Sequence, residues 1–98
     1  MNNFKKSADK TLNLIFDMIE KDYDYLDVDF EEENLRIEID KRVFILSIHN
    51  PTSQIWLSSP LSGAHHFELE IDTKKWIGTR DKNLNLIEML KIELDSLK

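Results

Sequence analysis

The hydrophobic period of this chain changes from that of a helix to that of a strand within a few residues. Phe4, Ala8, Leu12, Ile15, Phe16 and Ile19 recur at spacings of three and four, which lays them along one stripe of a helix running to about Lys21. From Leu26 the spacing falls to two. Leu26, Val28 and Phe30 alternate with Asp27, Asp29 and Glu31, as in a strand with one dry and one wet face. After a turn over residues 32–34, Leu35, Ile37 and Ile39 alternate with Arg36, Glu38 and Asp40. The first two strands therefore form a hairpin.

Residues 43–49, VFILSIH, are a more continuous apolar run expected at the sheet centre, and Asn50-Pro51 ends it because proline cannot donate to the ladder. Residues 54–59 give a fourth strand, 66–71 a fifth and 75–79 a short sixth. Asn85 then reads as an N-cap with Glu88 at the third helical position, opening a helix whose stripe is Ile87, Leu90, Leu94 and Leu97. Short connections make the sheet mainly antiparallel, and both helical stripes must bury on one of its faces. With 98 residues the chain encloses one core. The expected architecture is a single α+β domain over residues 1–98, a two-layer α/β sandwich. Its N- and C-terminal helices pack on one face of a mainly antiparallel five- to six-stranded sheet, and the other face is free to bind.

Residues 17–33 hold nine of the nineteen carboxylates and one lysine, a net of −8 in a chain whose total is −6, leaving +2 for the remainder. A local field of that sign repels phosphate backbones and anionic lipid and attracts cations or basic protein surfaces. Nucleic acid and membrane are not expected as partners. The chain has no cysteine, which excludes disulfides, thiolate metal sites, iron–sulfur ligation by its own residues and cysteine nucleophiles. The segment MNNFKKSADK lacks the apolar core of a secretory signal and the Arg- and Ser-rich character of a transit peptide. The expected location is cytoplasmic.

As an EF-hand loop starting at Asp22, the acidic stretch has Asp24 at the third position and Glu33 at the twelfth. The fifth is Leu26 and the sixth is Asp27, where glycine is required, so that reading fails. As a helix end followed by a strand, Asp17, Glu20 and Asp24 share the exposed helix face while Asp27, Asp29 and Glu31 line the outer strand face. Same-face strand neighbours lie about 7 Å apart, too far for tight chelation by two short carboxylates at bond lengths of about 2.0–2.6 Å. Two readings stand: a solvated edge that resists strand-to-strand aggregation, and a ridge that binds hard cations loosely at overlapping places.

The stretch PTSQIWLSSPLSG, residues 51–63, places Ile55 and Leu57 toward the core and Gln54, Trp56 and Ser58 outward. A tryptophan there is either an interface anchor or covered by a loop or cross-strand neighbours. Of His65 and His66, one can share its face; as metal ligands both are weak candidates, and His49 is equally ambiguous. No glycine-rich phosphate loop, HExxH or GxSxG occurs. No catalytic residue is assigned.

The run QIWLSSPLSG, residues 54–63, together with Asp27-Val28-Asp29-Phe30, residues 35–39, Trp76-Ile77 and NLIEMLKIEL, resembles the frataxin family, bacterial CyaY-type members included, over essentially the whole chain. The resemblance implies a small iron-binding protein of iron–sulfur cluster assembly, acting with a cysteine desulfurase and its scaffold protein. It implies iron, Fe²⁺ or Fe³⁺, held weakly on Asp17, Glu20, Asp22, Asp24, Asp27, Asp29 and Glu31. The same ridge would meet a basic surface on the desulfurase, and Gln54, Trp56, Ser58 and His66 would form the partner face. A monomer, with iron-induced oligomers, is implied. Lys21 stands where the family often has an acid. Ser47, Ile48 and His49 replace its usual Asn-basic-Gln run, which puts polar contacts from that turn in doubt. Iron donor or iron-dependent regulator is the leading reading, beside a ferroxidase-type iron-oxidising protein and a metal-independent interaction module.

Overall fold

The first apolar stripe forms α1 (Asn3–Asp22), in which Ala8, Leu12, Ile15 and Ile19 are fully buried. These positions come from a computed structural model that describes residues 3–97. Six strands follow: β1 (Asp27–Glu31), β2 (Asn34–Ile39), β3 (Arg42–His49), β4 (Gln54–Ser59), β5 (Gly63–Glu70) and β6 (Lys75–Gly78). They pair antiparallel in chain order, β1 to β6, as a meander. A second helix, α2 (Leu86–Asp95), closes the fold.

The strand registers decide which side chains meet the helices. Phe30 faces Leu35, Ile37 faces Phe44, Leu46 faces Leu57 and Ile55 faces Phe67. Except for the half-buried Phe30, these side chains are buried in one core with the α1 stripe and with Leu86, Leu90 and Leu94 of α2. The opposite sheet face carries Asp29 across from Arg36, and Trp56 between Ser47 and His66. This is the α+β architecture expected from the period change.

Each helix is tied to its surroundings at both ends. Near the start of α1, Phe4 meets the Trp76 ring edge-on at 6.0 Å, and two turns further on Thr11 Oγ1 accepts from Trp76 Nε1 at 2.8 Å. Where α1 exits, Tyr23 OH donates to Asp95 Oδ1 at 2.9 Å and Tyr25 OH to the Leu94 carbonyl at 3.1 Å. Asn85 caps α2 as its sequence predicts, its Oδ1 accepting from Glu88 N at 3.1 Å.

Several boundaries differ from the sequence reading. The β1–β2 hairpin needs only Glu32 and Glu33 as its loop, because Glu32 adopts φ 55°, the left-handed geometry that matches strand twist. Asn34 thus belongs to β2. Strand β5 starts at Gly63 rather than residue 66, since Ser59 pairs directly with Gly63, whose φ of 93° closes the short loop. The seam of α2 runs through Leu86, which the expected stripe omitted; Ile87 and Leu97 are only half-buried. Asp24 lies beyond the end of α1, in the turn closed by Leu26 N to the Tyr23 carbonyl at 3.0 Å, and not on the helix face.

Candidate metal-binding ridge and partner face

Asp17, Glu20 and Asp22 are exposed on the last turns of α1, and Asp24 is exposed in the turn that follows. On β1, burial alternates with sequence, so Asp27, Asp29 and Glu31 are exposed while Val28 and Phe30 pack on the core. The strand carboxylates are therefore fixed outward. Across the hairpin they face Glu38, Arg36 and Asn34 respectively. Arg36 Nη1 donates to Glu38 Oε1 at 2.8 Å, which places one guanidinium inside the acidic row. An open concavity of about 330 Å³ is lined by Asp29, Glu31, Glu32, Asn34 and Arg36.

Among the described residues, no three His, Asp or Glu side chains are gathered closely enough to enclose a metal ion. Oxygen donors spaced along an open surface can take a hydrated hard cation through one or two carboxylates at a time. Arg36 and Glu38 were not singled out from the sequence. The register that sets them opposite Asp29 and Asp27 follows from a two-residue loop without glycine, which the sequence does not signal.

Glu33 is removed from this surface. Its Oε2 accepts from Asn50 Nδ2 at 3.0 Å and lies 3.4 Å from Lys5 Nζ, and these partners, Asn50 first, hold its carboxyl below the usual range. The two tyrosines beside the α1 exit move the other way. Burial, then the hydrogen bond to Asp95, pushes the Tyr23 phenol up to about 12, and burial raises Tyr25. Both remain protonated donors at neutral pH, which keeps the turn carrying Asp24 attached to α2.

On the outer face of the sheet, Trp56 is half-buried between two imidazoles. His49 stacks on it with ring centroids 3.7 Å apart and planes 14° from parallel, and His66 stacks at 4.2 Å and 8°. The indole Nε1 donates to Gln54 Oε1 at 2.8 Å. Gln54, Trp56 and His66 thus form one unit, with exposed Ser58 further along β4. Trp56 points outward as expected and is covered on its ring faces by neighbouring strands. His49 belongs to the same unit because β3 and β4 set it opposite Gln54.

The loop after β4 is pinned from α2. Ser59, buried, donates to Glu93 Oε1 at 2.5 Å and accepts from the Leu61 and Ser62 amides. Ser62 Oγ donates to Glu93 Oε2 at 2.6 Å and lies 2.9 Å from His65 Nε2. The serines of this run serve the loop geometry that positions β4 and β5.

Two terminal helices on one face of a six-stranded antiparallel meander, with carboxylates along the first strand, define the frataxin-like class of α+β sandwich. The chain belongs to the frataxin family: a family profile described as a frataxin-like domain matches residues 1–97. The mitochondrial frataxin homolog of Schizosaccharomyces pombe is 33% identical over 88 residues, covering 81% of this chain and 54% of that protein. Mitochondrial frataxin of Arabidopsis thaliana is 34% identical over 101 residues, covering 96% and 53%. The chain spans about half the length of these curated relatives. Among solved structures, the CyaY-family frataxin of Psychromonas ingrahamii superposes with a TM-score of 0.88 at 25% identity, over 100% of this chain and 92% of that one. Trimeric frataxin of the yeast Saccharomyces cerevisiae, complexed with ferrous iron, gives 0.82 at 27% identity over 92% and 83%. No helix among the described residues is long and apolar enough to cross a membrane.

Proposed function

We propose that the chain carries iron as cargo in iron–sulfur cluster assembly, as a donor to, or an iron-dependent regulator of, a cysteine desulfurase and its scaffold protein. The observation that carries this reading is the outward row Asp27, Asp29 and Glu31 on β1, beside exposed Asp17, Glu20, Asp22 and Asp24. It is supported by a yeast relative crystallised with ferrous iron.

Carboxylate oxygens are hard donors suited to Fe²⁺. With same-face neighbours about 7 Å apart, each ion keeps part of its water shell and exchanges readily, which suits delivery or sensing better than storage. Asp27 has Glu38 directly across the hairpin, whereas Asp29 faces Arg36. Arg36 reaches from its place opposite Asp29 to Glu38 at 2.8 Å, so its guanidinium offsets part of the negative charge at both positions. The ridge presents its negative field to a basic surface on the desulfurase, and Gln54, Trp56, Ser58 and His66 meet the scaffold.

Anaerobic calorimetry with Fe²⁺ tests the metal half of this reading. Wild type gives saturable heat in the range of weak exchangeable sites, and Asp27→Asn/Asp29→Asn loses most of it. No heat from wild type leaves an interaction module whose ridge contacts only protein.

A further inference from the structure

The helical side of the molecule has a concavity of about 670 Å³, larger than the one beside the ridge, between the first half of α1, the β5–β6 turn and the start of α2. Clefts of about 300–1,000 Å³ with an apolar lining and a few polar groups are those that hold small molecules. The apolar part of this one is Leu14, Leu69, Trp76 and Ile87. Trp76 is fixed there, because its Nε1 donates to Thr11 Oγ1 at 2.8 Å, and at 4% exposure it offers no ring face for stacking. Leu14 is 53% exposed, so its side chain is available to a ligand. An aliphatic floor of this kind suits an alkyl chain better than a planar ring.

The charged groups of the lining are Lys10 from α1, Lys74 and Lys75 from the β5–β6 turn, and Glu88 from α2, three cations against one carboxylate. Asp9, Glu70 and Asp72 are near in sequence but do not line the concavity, and Glu70 already accepts from Thr73 Oγ1 at 2.6 Å. Both ion pairs found among the described residues, Lys5 with Glu33 and Arg36 with Glu38, lie elsewhere. In a chain of net charge −6, cations thus outnumber acids around this apolar floor. A lysine adds a flexible point charge at its tip and apolar surface along its stem, which matches a ligand with an anionic head and an aliphatic body.

We propose that this groove binds a small amphipathic carboxylate, its alkyl chain over Leu14, Leu69 and Ile87 and its head among the lysines of the rim. The site is separate from the acidic ridge and from the Trp56 face, and it does not depend on iron.

Decanoate below its micelle concentration, followed by NMR on the whole chain, tests it, with decyltrimethylammonium as the same alkyl chain bearing the opposite charge. Decanoate shifts the Trp76 indole N–H and the Leu14 and Ile87 methyl groups saturably, and added salt weakens it. Decyltrimethylammonium reaches these residues about tenfold more weakly. Lys74→Gln/Lys75→Gln weakens decanoate by about tenfold, the loss expected for two exposed charge contacts, whereas Glu88→Gln, which removes the carboxylate of the rim, tightens it. Leu14→Asn, at an exposed position, loses binding while the melting temperature is kept. Equal affinity for the two amphiphiles, no saturable shift with decanoate, or shifts confined to other surfaces overturns the inference. Shifts of the same residues on concentrating the protein alone also overturn it, since they make the groove a contact between two copies of the chain.

Discussion

Single residues in the acidic stretch do different work, and Glu33 shows it most clearly. Its carboxyl is held down by Asn50 and Lys5. A group depressed in this way contributes stability above its unfolded pKa and loses that contribution as pH falls through its folded value. Glu33→Gln should therefore melt below wild type near neutral pH, with the gap closing as pH falls through and below the usual carboxylate value of about 4. Melting curves of both proteins across that range check this, and a gap unchanged at the acid end contradicts the pairing. The sequence could not have singled out Glu33, because its partners sit on α1 and in the short turn after β3, positions adjacent only once the sheet has formed. Asp27 and Asp29 were legible, since alternation with Val28 and Phe30 leaves them one face. The stacking of His49 on Trp56 was not, because it depends on the pairing of two strands.

Elements were read from period and punctuation, and their existence and order follow from those signals. What they lacked was geometry at the joints. Three loops are shorter or tighter than composition suggests: Glu32 and Asp40 supply left-handed residues without glycine, and Gly63 lets β5 start directly after the loop. Gly78 is the joint with least room. Its N–H donates to the Leu84 carbonyl at 3.0 Å, and a Cβ there would lie 2.5 Å from the Asp81 carbonyl oxygen. Backbone cannot yield as a flexible side chain does, so Gly78→Ala should cost about 1–3 kcal/mol in urea denaturation. An alanine variant as stable as wild type means that the loop over residues 79–84 is not held against β6. The α2 stripe illustrates a different limit. Leu86, Ile87, Met89 and Leu90 crowd the first turns, so periodicity alone does not choose between seams; packing on the sheet selects Leu86 with Leu90 and Leu94.

Across the whole molecule, charge is segregated while the core stays apolar. The acids of residues 17–33 ring the α1 exit and the β1 edge, and the imidazoles stacked on Trp56 lie further across the outer face of the same sheet, over β3 to β5. Two carboxylates about 7 Å apart in water repel by roughly 0.6 kcal/mol before screening, so the crowded edge lowers stability until cations gather on it. Millimolar Ca²⁺ or anaerobic Fe²⁺ should raise the melting temperature of wild type by mass action, and raise that of Asp27→Asn/Asp29→Asn by less. A curve indifferent to divalent ions removes the metal role of the ridge. The proposed function joins the two surfaces to one process, and a reconstituted cluster-assembly reaction with purified desulfurase and scaffold tests that proposal most directly. Wild type should change the rate of cluster formation, Asp27→Asn/Asp29→Asn should weaken the iron-dependent part of that change, and Trp56→Ala should remove it with or without iron. If both variants act as wild type does, neither surface works as described.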